Sequence, residues 1–553
     1  MLQRVEATSE SLPPMTQYPT LSYHQVRQRL LDRVETALID VREEDPFAQG
    51  HPLWAANFPL SKLELQAWSR IARRDTVIVV YGHDVSGDLA VRAAHVLTQL
   101  GYTQVFLLEN GLHGWEQAGG EIFRDVNVPS KAFGELLEAQ RHTPSLSAQQ
   151  VQQLLQDKDD AVVLDARRFD EYQTMNIPGS ISVPGAELVL RARALAVHPQ
   201  TRIIVNCAGR TRSIVGAQSL INAGLPNPVA ALRNGTIGWT LAGQALEHGA
   251  DRRFGTVGAD TLQVAQNDAR KVANAAGVRR ILYTQLSTLQ EETRNTYLLD
   301  VRTSEEYFAA HLPNFRHVPG GQLVQETDHV VPVRGARIIL ADSLQVRADM
   351  TASWLAQMGW EVYVVDAATE SDYSETELPA SLMPPEPQLP EIEPQALHDL
   401  LQAHAKAGTQ SDVLVLDFTA SANYNKRQIP GAHFAIRAQL PQILAALHQQ
   451  PMPPKQLVFT CGSSQLARFA AQDASRLTQL PITVLKGGTL AWIAQKLPLE
   501  QGANYLASPQ IDRYRRPYEG TDAPHEAMQA YLDWEFGLIE QLGRDGTHHF
   551  QVL

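Results

Sequence analysis

Four short apolar runs along the chain each end on an aspartate, and they predict a strand that occurs four times. The runs with their flanks are ALIDVRE (37–43), VVLDARR (162–168), YLLDVRT (297–303) and LVLDFTA (414–420). Their aspartates are Asp40, Asp165, Asp300 and Asp417, which lie 125, 135 and 117 residues apart. An apolar run of this length without polar alternation is typical of a strand buried on both faces of a parallel sheet.

A second apolar run follows each aspartate at a nearly constant distance. These runs are 76–81, 202–207, 337–342 and 456–461, and they end 41, 42, 42 and 44 positions after the aspartates. Each leads through a short loop into a helix-like stretch and then into a further apolar run, at 105–110, 229–234, 362–366 and 482–487. Strand, helix and strand in this order predict a parallel sheet in each copy.

The repeats predict an α/β protein of four tandem domains, each a parallel sheet flanked by helices, followed by a C-terminal helical tail. We place the domains at 18–130, 140–252, 273–376 and 392–500 and the tail at 501–553. The length of 553 residues agrees, because a domain averages about 150 residues. Three segments are predicted as linkers because they are polar, rich in alanine or rich in proline: 127–141, 251–274 and 371–394.

Composition narrows the class of protein. The net charge of −13 disfavours nucleic acid or an anionic membrane surface as a partner. Two cysteines in 553 residues exclude a disulfide-dense secreted scaffold and a zinc site built from three or four thiolates. The start of the chain lacks the apolar segment of a signal peptide, and no run approaches about 18 uninterrupted apolar residues, so we expect a soluble cytoplasmic protein.

Both cysteines occupy the same place in the repeat, at the end of the second strand. Cys207 opens the loop CAGRTRS and Cys461 opens CGSSQLA, whereas the other two copies carry Tyr81 and Asp342 there. One interpretation is that each thiol is a small buried apolar group. The position favours a nucleophile, because a loop before a helix N-terminus can turn its N–H groups inward as an anion site. We therefore expect a lowered thiol pKa.

The loop residues after each cysteine supply the predicted substrate-binding groups. After Cys207 they are Ala208, Gly209, Arg210, Thr211 and Arg212, and the two arginines offer forked donors to a sulfonate or similar oxyanion. After Cys461 they are Gly462, Ser463 and Ser464, which offer backbone N–H and hydroxyl groups. No histidine lies within four residues of either cysteine, so the sequence reveals no Cys–His dyad, and we predict no metal site.

Together these features resemble rhodanese domains, which are sulfurtransferases. The resemblance also rests on two Ile-Pro-Gly segments (177–179 and 429–431) and on an Asn-Gly or Gly-Gly turn followed by Trp115, Trp239 or Trp492. It covers about residues 18–500, and the third copy departs most from it. In two-domain rhodaneses an inactive domain packs on an active one. The resemblance therefore implies that copy 1 packs on copy 2 and copy 3 on copy 4, with copies 1 and 3 non-catalytic.

The resemblance implies a reaction that needs no cofactor. Cys207 takes the sulfane sulfur of thiosulfate as a persulfide, releases sulfite and passes the sulfur to a second nucleophile. The partners implied are a small-molecule sulfur donor and a thiol or cyanide acceptor, and a homodimer is left open. Cys461 is expected to be a second catalytic cysteine.

Two other functions stay open at this point. A cysteine phosphatase places an arginine six positions after its cysteine, but Ser213 and Ala467 stand there, so both loops are one residue short for phosphate. A relay or binding module would carry persulfide to a partner protein without turnover on small acceptors.

The sequence of the Cys461 loop leads to further expectations about its backbone and its donor. The Cys-Gly-Ser start resembles mercaptopyruvate sulfurtransferases, but Ser464 replaces a glycine and is expected to resist a positive φ angle. Because its loop lacks a cation, we expect Cys461 to have the higher thiol pKa, and to prefer 3-mercaptopyruvate or to act as a secondary persulfide carrier.

A helix is predicted in the tail after Pro524 and is expected to pack on the last domain. The alternatives are that Arg513, Arg515 and Arg516 close over an active site, or that the helix forms a dimer contact.

Overall fold

Each repeat forms one parallel sheet flanked by helices, which confirms the predicted fold class. The computed structural model describes residues 18–83, 88–290, 293–378, 382–407 and 412–553. The polar start of the chain (1–14) and Pro379, both used above, lie outside the described residues. No helix within these ranges is long and apolar enough to cross a membrane.

The first two copies are joined by a helix. Copy 1 comprises β1 (Thr20–Leu21), α1 (Tyr23–Leu31), β2 (Thr36–Asp40), α2 (Glu44–Gln49), β3 (Ala56–Asn57), α3 (Leu63–Arg70), β4 (Val77–Tyr81), α4 (Asp88–Gln99), β5 (Val105–Leu108) and α5 (Gly111–Gln117). The joining helix is α6 (Val128–Arg141). Copy 2 comprises β6 (Ser145–Leu146), α7 (Ala148–Asp157), β7 (Ala161–Asp165), α8 (Phe169–Thr174), β8 (Ile181–Ser182), α9 (Leu188–Leu195), β9 (Arg202–Asn206), α10 (Thr211–Asn222), β10 (Val229–Leu232) and α11 (Gly235–Leu241).

A second joining helix, α12 (Ala259–Ala275), leads into the other half of the chain. Copy 3 comprises β11 (Arg279–Leu282), α13 (Leu286–Gln290), β12 (Thr296–Asp300), α14 (Ser304–Ala309), β13 (Arg316–His317), α15 (Gly320–Gln325), α16 (Thr327–Val330), β14 (Val333–Arg334), β15 (Arg337–Ala341), α17 (Val346–Gln357) and β16 (Glu361–Asp366). Copy 4 comprises β17 (Glu391–Ile392), α18 (Pro394–Ala407), β18 (Val413–Asp417), α19 (Ser421–Lys426), β19 (His433–Phe434), α20 (Leu440–His448), β20 (Gln456–Thr460), α21 (Gln465–Ser475), β21 (Ile482–Leu485) and α22 (Gly488–Ala494). The tail adds α23 (His525–Phe536) and α24 (Leu538–Asp545).

The strand order brings the aspartate and the cysteine loop of a copy to the same edge of its sheet. In copy 2 the order is β6-β10-β9-β7-β8, and the other copies repeat this order with their own strands. Asp165 lies opposite Asn206 in the parallel register, and the Asn206 side chain donates to Asp165 at 2.7 Å. Cys207 therefore begins the loop at the carboxyl end of the sheet, where parallel α/β sheets bind their ligands.

The copies pair across the chain and not in tandem. Copy 2 packs on copy 3, where Arg347 binds Glu187 at 3.0 Å, and copy 4 packs on copy 1, where Arg437 binds Glu64 at 2.6 Å. The expectation that copy 1 packs on copy 2 and copy 3 on copy 4 as rhodanese pairs is therefore wrong. In each pair one partner lies in a short turn before a helix: Glu187 precedes α9 and Arg437 precedes α20.

Copy 3 also contributes a strand to the sheet of copy 1. β14 runs antiparallel to β2, with Val333 opposite Ala37 and Arg334 opposite Thr36. This pairing gives hydrogen-bond partners to one side of β2, which otherwise would be exposed over that length. The strand pairing thus ties copy 3 to copy 1, to which copy 4 is also joined by the Arg437–Glu64 pair.

Two of the predicted linkers contain helices, and the first of these helices has buried polar side chains. α6 fills almost all of segment 127–141, whereas α12 begins at Ala259 within segment 251–274. On α6, Lys131 binds Asp125 at 2.7 Å and Glu135 binds Arg210 at 2.7 Å, and all four side chains are buried. Their polarity thus reflects buried ion pairs and not exposure to solvent. In the third linker, residues 382–390 form neither helix nor strand, as the prolines predict.

The tail crosses the molecule to copies 1, 2 and 3. α23 begins directly after Pro524, as predicted, but it does not pack on the last domain. Its apolar face packs on Ile237 of copy 2 and consists of Met528, Tyr531 and Leu532. Farther along, the Gln551 N–H donates to the Gln357 carbonyl of copy 3 at 2.8 Å. The expectation about the last domain failed because the complementary apolar surface lies on copy 2.

Candidate active site

Cys207 lies in a closed loop between β9 and α10. The residue is only 2% exposed. Its carbonyl accepts the Thr236 N–H at 2.9 Å, which fastens the loop to the start of α11. A side chain at Gly235 would put its Cβ 2.3 Å from that carbonyl, so only glycine fits there. The Asn-Gly turn named in the sequence is thus explained by close approach to the cysteine loop.

The surroundings of the Cys207 sulfur carry charges of both signs. Burial raises the thiol pKa above its usual value. The Arg212 guanidinium and the polar groups of Ser213 lower the pKa by less, and the carboxyl of Glu535 raises it further. The expectation of a lowered thiol pKa is therefore wrong for this closed arrangement, because loss of hydration outweighs the attraction of the loop.

Arg212 is the cation that faces the thiol. Its guanidinium makes a bidentate pair with Glu171, at 2.7 and 2.9 Å, and its side chain is 13% exposed. Burial raises the pKa of Glu171, but Arg212, Arg167 and Arg168 outweigh burial and hold the pKa at about 2. Arg212 is therefore fixed in place by a carboxylate that stays ionised, as a positioned anion-binding group requires.

Arg210 is oriented differently from Arg212. It is buried, and it donates to both carboxylate oxygens of Glu135 at 2.7 and 2.8 Å, to Glu138, and to Asn234 at 3.1 Å. Its guanidinium also lies over the Phe536 ring. These contacts fasten the loop to α6. A direct contact from Arg210 to a substrate stays a prediction, and its existing partners argue against it.

The small residues of the loop allow close packing. Gly209 faces the tail, since a Cβ there would lie 3.1 Å from a ring carbon of Tyr531 and 3.4 Å from Oε2 of Glu535. Thr211 packs on Gly134 of α6, and the Ala208 carbonyl accepts the Ile237 N–H at 3.0 Å. These three residues thus pack the loop against the tail, α6 and α11.

In copy 3 the loop equivalent to the Cys207 loop binds a carboxylate. Asp342, at the cysteine position, accepts backbone N–H groups from Leu344 at 3.0 Å and from Arg347 at 2.8 Å. The Arg347 guanidinium donates to the same carboxylate at 2.8 and 3.1 Å. The loop at this point of the repeat therefore binds an anion with backbone N–H groups and one arginine.

The Cys461 loop has the same shape with different charges. Cys461 is 4% exposed, and burial raises its thiol pKa, opposed by the backbone N–H groups of Ala467, Leu466 and Ser463. Ser464 adopts φ +74°, so the expectation that it resists a positive φ is wrong, because the loop fixes the backbone. Arg468 turns away from the cysteine to pair with Glu391 and Glu386.

The repeat aspartate of copy 4 also has different partners from those of the other three copies. In copies 1 to 3 each aspartate holds the arginine two positions later in a buried pair, and these pairs are Asp40–Arg42, Asp165–Arg167 and Asp300–Arg302. Asp417 accepts the Thr419 N–H at 2.8 Å and has no arginine there. Burial raises the pKa of Asp417 to about 6, and its charge raises the pKa of Cys461. In copy 4, Thr419 thus replaces the arginine that the aspartate holds in the other three copies.

A cavity of about 540 Å³ lies between copies 2 and 3 beside Arg212. Besides Arg212, its lining includes Arg168, Arg253 and Arg302 together with Phe169 and Phe254. Cys207 itself does not line it. Among the described residues, no group of three or more His, Cys, Asp or Glu side chains is placed to hold a metal ion.

The tail residues at the Cys207 loop were missed by the sequence analysis. The candidates Arg513, Arg515 and Arg516 instead pair with Glu519, Asp522 and Glu44. The residues that reach the loop are Tyr531 and Glu535. A signal existed in the sequence, because Glu535 falls on the apolar stripe of Met528, Tyr531 and Leu532.

Comparison with known proteins supports the repeat analysis. The rhodanese-like domain model matches residues 22–118, 147–242, 282–372 and 397–495. A crystal structure of thiosulfate sulfurtransferase from Pseudomonas aeruginosa is 61% identical, covers 97% of this chain and 100% of that chain, and superposes with a TM-score of 0.93. The uncharacterized protein YibN of Escherichia coli K12 is 30% identical over 88 residues, which are 16% of this chain and 60% of that protein's length. The chain belongs to the rhodanese-like domain family, with four copies of that domain in tandem.

Proposed function

We propose that the protein is a sulfurtransferase that moves sulfane sulfur from thiosulfate to a thiol or cyanide acceptor through a persulfide on Cys207. The similarity to the Pseudomonas aeruginosa thiosulfate sulfurtransferase over the whole chain supports sulfurtransferase activity. The observation that carries the proposal is the Cys207 loop, with a fixed Arg212 and the backbone geometry that holds an anion at Asp342.

The reaction proceeds in two displacements. The Cys207 thiol first loses its proton, and the thiolate attacks the outer sulfur of thiosulfate. The S–S bond of thiosulfate breaks, and sulfite leaves with the bonding electron pair. An acceptor nucleophile then attacks the outer sulfur of the Cys207 persulfide. The persulfide bond breaks, and the Cys207 thiolate is restored.

Arg212 and the loop N–H groups serve both displacements. In the first they bind the anionic donor and the departing sulfite, and in the second they hold the persulfide anion. Arg212 is suited to this because Glu171 fixes its guanidinium through two N–H donors, one on each terminal nitrogen, and a guanidinium has five. The cavity between copies 2 and 3 gives the anionic substrate a route past Arg168 and Arg253 to this fork.

The phosphatase alternative fits the site less well, whereas the relay alternative differs from the main proposal in its turnover. A phosphatase needs a loop long enough to surround a tetrahedral phosphate, and residues 207–213 place Arg212 only five positions after the cysteine. A relay module remains compatible with the closed loop, because a buried persulfide is protected from water and small thiols. The relay differs from the main proposal in lacking turnover on a small acceptor.

The test is a turnover assay with thiosulfate and cyanide, in which sulfite and thiocyanate are both measured. The proposal predicts repeated formation of both products and no hydrolysis of p-nitrophenyl phosphate. One equivalent of sulfite without thiocyanate would favour the relay, and phosphate release would favour the phosphatase. The Cys207→Ser variant, which keeps a hydroxyl of similar size, is the control for reaction at the thiol.

A further inference from the structure

The tail places one carboxyl group against the Cys207 loop. Glu535 lies on the last turn of α23 and is completely buried. Its Oε1 accepts the Tyr531 hydroxyl at 2.8 Å. Its Oε2 has no hydrogen-bond partner among the described residues, and it lies 3.4 Å from where a Cβ of residue 209 would be. An unpartnered buried oxygen that faces the reactive loop needs a functional explanation.

The charged groups that face Glu535 do not neutralise it. On α6, Lys131 is already paired with Asp125 at 2.7 Å, and Glu135 adds a negative charge. In the loop, Arg210 is paired with Glu135 and Glu138. Tyr518, which precedes α23, and Asp125, which precedes α6, act on the neighbouring Tyr531. Glu535 is therefore left without a counter-ion of its own.

Burial consequently raises the pKa of Glu535 to about 8, since Lys131, Tyr531 and Arg210 offset burial only in part. At neutral pH the carboxyl is protonated and uncharged. Above pH 8 it becomes a carboxylate beside the Cys207 loop. The same carboxylate raises the pKa of the Cys207 thiol, so the two groups interact electrostatically.

We propose that Glu535, delivered by the C-terminal helix, determines which sulfur donors Cys207 accepts, because only its uncharged form admits a dianionic donor beside the thiolate. Glu535 acts through its charge and forms no bond to the substrate. The donor class follows: dianions such as thiosulfate are used at neutral pH and rejected as Glu535 ionises, whereas uncharged reagents respond to Glu535 only through its effect on thiolate formation. The assignment of thiosulfate rests on the proposed function, but the charge effect on Cys207 does not.

The experiment compares alkylation of Cys207 by iodoacetate, which is an anion, and by iodoacetamide, which is neutral, from pH 6 to 10 in the full-length Cys461→Ser protein. The ratio of the two rates removes the common dependence on thiolate formation. We expect this ratio to fall on the order of tenfold as pH rises through about 8, because the Glu535 carboxylate then repels the anionic reagent. In Glu535→Gln the ratio should stay constant.

Three further variants separate charge from structure. Glu526→Gln changes an exposed residue on the same helix and should behave as the parent. Glu535→Asp keeps a titrating carboxyl and should restore the fall. Tyr531→Phe removes a donor that favours the carboxylate, so the fall should move to higher pH. An identical fall in the parent and in Glu535→Gln, or a midpoint that Tyr531→Phe does not move, would overturn the proposal.

The proposed function is tested separately by the pH profile of kcat/KM for thiosulfate. If sulfur transfer occurs, its alkaline decline should be present in the parent and absent in Glu535→Gln. If the protein does not turn over thiosulfate but the alkylation ratio still differs between the parent and Glu535→Gln, thiosulfate is not the donor and the role of Glu535 stands. If Glu535→Gln turns over thiosulfate with the same alkaline decline as the parent, Glu535 does not select the donor, whereas thiosulfate remains the donor.

Discussion

Cys207 and Cys461 stand at equivalent positions, are both buried and follow strands of the same register, yet different charged groups surround them. Cys207 faces Arg212, which is held by Glu171, and its aspartate is neutralised by Arg167. Cys461 faces only backbone N–H groups, and the nearby Asp417 lacks an arginine. The comparison shows that the fold supplies the loop, whereas a few side chains decide what the thiol can do.

The largest difference is expected when each cysteine is replaced in turn. Cys207→Ser should retain less than about a tenth of the thiosulfate:cyanide activity, because a hydroxyl does not form a nucleophilic anion there. Cys461→Ser should retain most of it. Steady-state thiocyanate formation measures both variants. If Cys207→Ser kept more than about a tenth of the activity while Cys461→Ser lost it, the ranking of the two sites would be reversed.

Removing the cation should make the Cys207 loop resemble the Cys461 loop. Arg212→Ala deletes a charged donor worth ~1.5–3 kcal/mol, so kcat/KM for thiosulfate should fall by about 10- to 150-fold, chiefly through KM. Arg468→Ala is the matched control, since Arg468 follows Cys461 but pairs with Glu391 and Glu386. Equal kinetics for the two variants would mean that the backbone N–H groups bind the donor alone.

The unpaired Asp417 is expected to make the free energy of unfolding depend on pH. Burial raises the pKa of Asp417 to about 6, so its stabilising contribution is complete below its usual pKa and is lost as pH rises through about 6. Asp417→Asn should remove this loss and raise the free energy of unfolding at pH 7 by on the order of 1–3 kcal/mol. Guanidinium unfolding at pH 4 and pH 7 measures the difference.

Asp300→Asn is the counterpart in copy 3, where the aspartate is paired with Arg302. It should lower the free energy of unfolding at pH 7 by about 3–5 kcal/mol, because it leaves a buried arginine without its partner. The opposite signs of the two substitutions express the difference between a paired and an unpaired aspartate. A loss of stability in Asp417→Asn would contradict the account of copy 4.

The smallest expected effect concerns the backbone of the Cys461 loop. Ser464 holds φ +74°, a conformation that glycine adopts without strain. Ser464→Gly should therefore raise the free energy of unfolding by about 1 kcal/mol. Ser463→Gly, at an exposed loop position next to it, should not stabilise the protein. A stabilisation of equal size in both variants would show that strain at residue 464 is not the cause.

The repeated strands and both cysteine loops were predictable because they depend on local pattern. A buried parallel strand needs a continuous apolar run, and four runs at constant spacing leave one interpretation. The cysteine position followed from the same spacing, and Trp115, Trp239 and Trp492 are buried as their turns implied. The pairing of the copies was not predictable, because it depends on contacts between residues far apart in the chain, such as Glu64 with Arg437 and Glu187 with Arg347.

Two features of the site depend on contacts between distant parts of the chain. Arg210 meets Glu135 across 75 residues, so its loop position alone suggested a substrate contact that its partners disfavour. Glu535 contacts the Cys207 loop although it lies more than 300 residues away in the sequence. The one sequence feature that set it apart was its position on the apolar face of a predicted helix. The raised pKa of the Cys207 thiol was also not predictable, because burial of the thiol depends on tertiary contacts.

The most direct test of the difference between the two loops is mass spectrometry of the protein during the first turnover with thiosulfate, with peptides that contain Cys207 and Cys461 followed over time. The account predicts that the mass of one sulfur atom appears first and mainly on the Cys207 peptide, together with one equivalent of sulfite. Sulfur that appears on Cys461 first, or at equal rates on both cysteines, would contradict it.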